Sequence, residues 1–148
     1  MSEQTPAPVV LYFDGAVEPV NPGGWMSYAW VALAADGSEV AHDAACVPPA
    51  PANTNNVAEY RALIAGLSWL KEHHHSGIHV RGDSQLVIRQ LTGAYACRAA
   101  SLRPLYAQAL ALVRELNVQL TWVRREINHR ADAYSVAALP PHVQRRQR

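Results

Sequence analysis

One apolar run near the start of the chain constrains the fold more than any other feature. Residues 9–13, Val-Val-Leu-Tyr-Phe, are five consecutive apolar residues rich in β-branched and aromatic types, and the run stops at Asp14-Gly15. Such a run is typical of a strand that is buried on both faces of an α/β sheet. Asp14 would then stand where the strand leaves the core, the place where open α/β sheets gather reactive groups.

Three further acids have comparable surroundings. Glu59 lies early in a helical pattern over residues 55–64, Asp83 follows a short strand pattern over residues 78–82, and Asp132 lies in the segment Asn-His-Arg-Ala-Asp of residues 128–132. A single carboxylate in such a place is usually a helix cap or a surface acid. Four of them at element ends or on apolar faces favour a shared site.

The segments around these acids resemble type 1 ribonuclease H, in the same order and from about Val9 to Leu139. The matching pieces are Tyr-Phe-Asp-Gly at 12–15, Asn-Pro-Gly-Gly at 21–24, Thr-Asn-Asn-Val-Ala-Glu at 54–59, Gly-Asp-Ser-Gln at 82–85 and Asn-His-Arg-Ala-Asp at 128–132. Each piece is common alone, but the ordered set is specific. The resemblance implies a ribonuclease H-like α/β fold with a mixed five-stranded sheet in the order 3-2-1-4-5, strand 2 antiparallel, and flanking helices.

The hydrophobic patterns predict the element order β-β-β-α-β-α-α-β-α. After a loop at 16–24, strands are expected at 25–34 and 39–46 around an Asp36-Gly37 turn. Thr54 or Asn55 should cap the first helix, whose buried face would hold Glu59. The remaining predictions are a strand at 78–82, a Ser84-capped helix to Leu91, a Ser101-capped helix, a strand at 118–122 and a helix at 131–139 ended by two prolines.

Length and composition suit one domain over residues 1–148, with residues 1–8 and 140–148 expected to be flexible. The hydrophobic fraction of 49% supports an ordinary core, and no apolar run approaches the ~20 residues of a membrane span. We therefore expect a cytoplasmic monomer with no membrane contact. Cys46 and Cys97 are too few for a disulfide framework and are expected to be packing residues.

Charge is distributed unevenly along the chain. Residues 1–74 carry two basic residues against eight acids, whereas residues 75–148 carry eleven arginines against four acids. The net charge is only +1, so the basic character belongs to the C-terminal half. Arginine forks onto phosphate oxygens, although a GC-rich genome would favour arginine over lysine equally well.

Four carboxylates in one place would repel one another unless cations neutralise them. Oxygen ligands without cysteine or clustered histidine favour Mg²⁺, with Mn²⁺ as a substitute. The resemblance implies that Asp14, Glu59, Asp83 and Asp132 are both the metal ligands and the catalytic residues, with two Mg²⁺ per active site. The implied reaction is cleavage of the RNA strand of an RNA/DNA hybrid, leaving a 3′-hydroxyl and a 5′-phosphate.

Selection of RNA requires contact with its 2′-hydroxyl, which both donates and accepts hydrogen bonds. The resemblance places the substrate-binding residues at Asn21, Gly23, Asn55, Asn56, Ser84 and Gln85. It also suggests auxiliary roles for Asn128 and His129, although His129 stands close to Asp132 and not on a long loop. By this resemblance we expect a short form: the region after Leu91 has no room for the extra basic helix that many bacterial members carry, and no separate hybrid-binding domain is expected.

Three functions stay open at this point. The first is the hybrid-specific endoribonuclease, the second is a hybrid-binding module without activity, and the third is a nuclease of the same fold that cuts double-stranded RNA or DNA. Retention of all four acids argues against the second. Only tests with different substrates separate the first from the third.

Overall fold

The computed structural model of the protein describes residues 8–144. Five strands form one sheet: β1 (Val9–Glu18), β2 (Trp25–Ala34), β3 (Glu39–Val47), β4 (His79–Gly82) and β5 (Gln119–Trp122). The helices are α1 (Asn55–Glu72), α2 (Gln85–Leu91), α3 (Arg103–Glu115), α4 (His129–Ala137) and α5 (Pro141–Gln144), with a 3-10 turn at Arg125–Asn128. Residues 1–7 and 145–148, part of the ends expected to be flexible, lie outside the described residues.

The sheet has the predicted order, β3-β2-β1-β4-β5. β2 runs antiparallel to both β1 and β3, whereas β4 is parallel to β1 and to β5. The register pairs Phe13 with Gly82 and Gly82 with Trp122, so Asp14 and Asp83, the residues that follow Phe13 and Gly82, are neighbours. The predicted fold class and the predicted juxtaposition of these two acids are confirmed.

The first strand is longer than the sequence suggested. We expected a loop at 16–24, but β1 continues through Gly15 to Glu18 and stays paired with β2 as far as Trp25. The cause is burial, because Ala16 and Val17 lie in the core and Gly15 leaves room for the backbone of α1. The turn is thus confined to residues 19–24, and Asp14 lies inside a paired strand, not at its last residue.

Helix α1 begins at Thr54, whose hydroxyl accepts a hydrogen bond from the Val57 amide at 3.1 Å. Its packing face includes Glu59 as predicted, together with fully buried Ala62, Leu63 and Leu70. The helix approaches the sheet closely because it has small residues there: an added Cβ at Gly66 would lie 2.8 Å from the Leu11 side chain. This close packing brings Glu59 against β1.

The predicted boundaries of two helices were wrong. Ser101 does not cap α3, since the helix begins at Arg103 after Leu102, without a side-chain cap. Leu102 is buried, so packing and not hydrogen bonding sets that start. The last predicted helix, at 131–139, begins and ends two residues earlier, and the C-terminal stretch expected to be flexible includes α5, whose Val143 is buried.

Within residues 8–144 no helix has the length and apolar character needed to cross a bilayer.

The contact between Gly15 and α1 generates a stability prediction. A Cβ at Gly15 would lie 2.4 Å from the Ala58 carbonyl carbon, so Gly15→Ala must push α1 away from β1. We expect a loss of about 1–3 kcal/mol in unfolding free energy, the range for overpacking. Urea denaturation measures it, and the nuclease activity that the resemblance implies should fall as well, because Glu59 follows Ala58.

Gly77→Ala is the matched control. Gly77 has φ +66° with no heavy atom within 4 Å of an added Cβ, so alanine there is strained but does not clash. We expect it to cost about 1–2 kcal/mol without changing activity. Equal activity losses in the two variants would contradict the proposed contact.

Candidate active site

An open cleft of about 480 Å³ lies at the ends of β1 and β4. Asp14, Glu59 and Asp83 line it, and each offers a carboxylate oxygen within 4.8 Å of the other two. Asp14 and Glu59 are only 4% and 9% exposed. Three carboxylates so close, two of them buried, favour a bound cation, because the alternative is mutual repulsion.

Asp132 stands beside this cluster but outside it. It belongs to the first turn of α4, and its charge raises the pKa of Asp83, which places the two carboxylates within electrostatic reach. Helix α4 is tied to β2 by a 2.9 Å hydrogen bond between the buried hydroxyls of Ser135 and Ser27. The structure therefore brings together three of the four predicted acids and holds the fourth close by on a separate helix.

Burial is the main influence on Asp83, and it raises the pKa of that carboxyl above its usual value. A hydrogen bond from Asn128 and the positive charge of Arg125 oppose this effect, and the negative charge of Asp132 adds to it. The site is thus poised to release free energy when a positive ion enters, since a cation removes both the desolvation penalty and the repulsion.

Asn128 joins the strands that carry the acids. It is 1% exposed, and its amide nitrogen donates to the Phe13 carbonyl oxygen at 2.7 Å while the same side chain hydrogen-bonds Asp83. Among residues 8–144 its own buried oxygen Oδ1 has no hydrogen-bond partner. Asn128 therefore does not line the cleft but holds Asp83 in position through a hydrogen bond.

The predicted substrate-binding residues at the β1 side of the cleft are organised by one another. Asn55 lines the cleft, and its Oδ1 accepts a hydrogen bond from the Val17 amide at 2.8 Å. Asn21 accepts from the Asn55 backbone amide at 3.1 Å, and the Gly23 amide donates to the Asn53 carbonyl at 2.9 Å. Asn55 is therefore oriented so that its NH₂ group is the part left for a ligand.

The other predicted contact residues lie at the starts of two helices. Asn56 and Gln85 are exposed at the first turns of α1 and α2, whereas Ser84 caps α2 by accepting from the Val87 amide at 3.2 Å. Neither Asn56 nor Gln85 lines the cleft itself. They flank it, at a place where a ligand larger than the cleft would reach them.

Two cleft residues were missed by sequence reasoning. Trp122 and Arg125 line the side formed by β5 and the 3-10 turn, next to Asp83. The sequence predicted Trp122 only as part of the strand at 118–122, and Arg125 only as one of the arginines of the basic C-terminal half. The signal that could have found them is their position: both lie within ten residues before Asp132, in the link that must pass the acidic cluster.

His129 faces a different part of the surface. It is exposed at the start of α4 and lines a separate groove of about 210 Å³ with Tyr12, Ile127 and Arg130. It is absent from the described lining of the acidic cleft. The suggested auxiliary role thus receives no support from the position of the side chain.

Comparisons with known proteins agree with this architecture. Residues 13–138 match the family model described as Reverse transcriptase-like. Ribonuclease HI of Halobacterium salinarum is 41% identical over 132 residues, which are 88% of this chain and 64% of that protein. The chain thus spans slightly less than two thirds of this curated relative.

Solved structures show the same likeness. The crystal structure of RNase H1 from Halobacterium salinarum superposes with a TM-score of 0.80 at 38% identity, covering 89% of this chain and 97% of that one. The N-terminal RNase H domain of Rv2228c from Mycobacterium tuberculosis superposes with a TM-score of 0.82 at 35% identity, covering 89% of this chain and 93% of that one. LC11-RNase H1, solved in complex with an RNA/DNA hybrid, superposes with a TM-score of 0.79 at 29% identity, covering 88% of this chain and 95% of that one.

The fold, the acidic cleft and a family match over most of the residues define the class: the chain belongs to the Reverse transcriptase-like family. Within that family its likeness is to the type 1 ribonucleases H. The resemblance recognised in the sequence is confirmed.

The raised pKa of Asp83 predicts how stability depends on pH in the metal-free protein. Below the ordinary aspartate pKa of about 3.9, the Asp83 carboxyl is protonated in both the folded and the unfolded state, so it does not lower the free energy of unfolding. As pH rises toward the folded-state pKa, the unfolded chain loses its proton first, so wild-type stability falls. Above the folded-state pKa, the loss of unfolding free energy is complete and no longer changes with pH.

Asp83→Asn should therefore match the wild type in EDTA at low pH and become progressively more stable than it as pH rises. Urea denaturation across a pH series measures the difference. Saturating Mg²⁺ should reverse the order, since only the wild type keeps all the ligands. A stability advantage of Asp83→Asn that shrinks with rising pH would contradict the assigned shift.

Proposed function

We propose that the protein is an endoribonuclease that hydrolyses the RNA strand of RNA/DNA hybrids, with two Mg²⁺ ions at the acidic cleft and Mn²⁺ as a possible substitute. The observation that carries the proposal is the convergence of Asp14, Glu59 and Asp83 within 4.8 Å in a chain of this family. A hybrid is also the ligand in the complex of LC11-RNase H1, to which this chain is similar.

The donor set fits such ions. The cluster consists of carboxylate oxygens, the ligands that Mg²⁺ and Mn²⁺ prefer, and the open cleft leaves space for water and phosphate oxygens. When bound in a pair, these ions lower the pKa of an attacking water and stabilise the leaving oxygen of an in-line displacement. Asp14, Glu59 and Asp83 would hold them, with Asp132 completing the set from α4.

The residues around the acids prepare the site. Asn128 fixes Asp83 relative to β1, so the carboxylates of Asp14 and Asp83 keep their separation when no substrate is bound. Arg125 places a positive charge beside Asp83, where a phosphodiester would arrive. Hydrolysis by this arrangement would leave a 3′-hydroxyl and a 5′-phosphate.

RNA recognition falls to the amide side chains at the cleft and its flanks. Because the Val17 amide already uses Asn55 Oδ1, the Asn55 NH₂ group would donate to a 2′-hydroxyl oxygen. Asn56 and Gln85, both exposed, would supply the further contacts along the minor groove. All these groups belong to one chain, so the proposal requires no partner subunit.

A substrate comparison tests the function directly. The purified protein is incubated with Mg²⁺ or Mn²⁺ and end-labelled hybrid, duplex RNA and duplex DNA of one sequence. We expect cleavage of the RNA strand of the hybrid and an intact ribonucleotide-free duplex, because the 2′-hydroxyl contacts are missing there. Efficient cutting of duplex DNA would contradict the roles given to Asn55, Asn56 and Gln85, and equal cutting of duplex RNA would favour the broader nuclease.

Removal of a single carboxylate tests the metal-ligand assignment. Asp14→Asn or Asp83→Asn should abolish hybrid cleavage, while folding and hybrid affinity largely persist, since each change removes a ligand and also relieves repulsion. Asp43→Asn, at an exposed acid on β3, is the matched control and should cleave normally. Wild-type turnover by either cleft variant would overturn the assignment.

His129→Ala tests the auxiliary role. Because His129 lines a different groove, we expect turnover to fall by less than about tenfold, below the ~10² typical when a true general acid is removed. Steady-state kinetics at saturating hybrid measure it. A loss of about three orders of magnitude with unchanged metal affinity would show that the imidazole reaches the reacting phosphate.

A further inference from the structure

Trp122 differs from the other three tryptophans of the chain. Trp25 makes an edge contact with His142, Trp30 packs against Trp69, and Trp69 stacks on His73 at 3.7 Å between ring centroids. Within residues 8–144, no aromatic ring or cation packs on either face of Trp122, and the residue is 41% exposed. A large apolar ring that is exposed to solvent inside a functional cleft indicates a surface that a ligand covers.

The position of Trp122 relative to the acids is fixed. It is paired with Gly82 across β4 and β5, and its indole N–H donates to the Asp83 backbone carbonyl at 3.1 Å. It is the one aromatic side chain among the described residues that line the acidic cleft. The hydrogen bond satisfies the polar edge of the indole and holds the ring beside Asp83, so its apolar surface needs no rearrangement to receive a ligand.

Packing and charge do not explain this exposure. Asp14, Glu59 and Asp83 bear negative charge and Arg125 positive charge, so an open indole among them gains little from its surroundings in the free protein. A nucleotide of the hybrid offers a matching surface: its ribose has an apolar edge on the outside of the duplex, and its base has an aromatic face where it is unstacked from its neighbours. The phosphate between two nucleotides would meanwhile lie over the carboxylates.

We propose that Trp122 is a substrate-binding platform, on which the base or the ribose of a nucleotide next to the scissile phosphate packs. The proposal rests on the proposed function and deepens it, because it names a contact that sets the position of the strand and not only its affinity. Trp122 would bound the cleft on the β5 side, opposite the Asn55 amide on the β1 side.

Two substitutions separate a platform from a merely structural residue. Trp122→Leu keeps apolar bulk without an aromatic face, whereas Trp122→Phe keeps a face but loses the N–H donor to Asp83. We expect Trp122→Leu to raise the hybrid Kd and KM about tenfold, within the range for base–aromatic stacking, and Trp122→Phe to raise them less than about threefold. Trp69→Leu, far from the cleft at the C-terminal end of α1, is the control and should leave Kd unchanged.

Kd is measured by fluorescence anisotropy with labelled hybrid, with Ca²⁺ in place of Mg²⁺ and the hybrid checked for integrity afterwards. If Trp122 only positioned Asp83, both substitutions would lower kcat through the lost hydrogen bond and neither would change Kd. A Kd for Trp122→Leu within twofold of the wild-type value would overturn the proposal.

A second measurement holds even if Trp122→Leu fails to fold. The fluorescence of Trp122 is the difference between wild type and Trp122→Phe, and hybrid binding should quench it. A hybrid series with one abasic site moved along each strand then locates the contact. Weaker wild-type binding at one position, with the Trp122 emission no longer quenched there, identifies a base contact, whereas uniform binding with quenching at every position identifies a ribose contact.

Failure of this inference differs from failure of the proposed function. If the wild type cleaves the hybrid but Trp122 emission does not change on binding, the proposed role of Trp122 is wrong and the proposed nuclease function stands. If the wild type neither binds nor cleaves the hybrid, both the proposed nuclease function and the proposed role of Trp122 are wrong.

Discussion

The repulsion among buried carboxylates is the constraint on which the rest of this structure depends. Asp14, Glu59 and Asp83 lie within 4.8 Å of one another, and burial raises the pKa of Asp83. A chain gains nothing in stability from such an arrangement without a cation. The fold must therefore supply the free energy that holds the acids together, and it does so through the packing beneath them.

That packing has three parts. Parallel pairing of β1 with β4 puts Asp14 and Asp83 side by side, and the absence of side chains at Gly15 and Gly66 lets α1 approach until Glu59 joins them. Asn128 then links the Phe13 carbonyl to Asp83, so the two strand ends cannot drift apart independently. All three parts lie beneath the cleft.

The fold was predictable because strong local signals agree with it. The strand before Asp14, the turn at Asp36-Gly37 and the Thr54 cap all form as the sequence indicates. The expectation that this strand is buried on both faces was wrong, since Val10 and Tyr12 on one face are only partly buried. The failures have local causes as well. Burial of Ala16 and Val17 extends β1 beyond the glycine that seemed to end it, and Leu102, by packing into the core, overrides the hydrogen-bonding preference of Ser101.

The site was less predictable than the fold. Acids at strand ends are visible in the sequence, since each follows a recognisable apolar pattern. The roles of Trp122, Arg125 and Asn128 depend on how the link between β5 and α4 folds over Asp83, which no periodicity records. The orientation of the Asn55 amide depends likewise on the Val17 amide, 38 residues away along the chain.

The central claim is that this cleft is a divalent-cation site assembled by the fold. Crystals of the protein soaked in Mn²⁺ and measured for anomalous scattering test it most directly. The account predicts an anomalous peak between the carboxylates of Asp14, Glu59 and Asp83, lost in Asp14→Asn. Ordered Mn²⁺ at other sites, such as the histidines at 73–75, with none at the cleft, would contradict it.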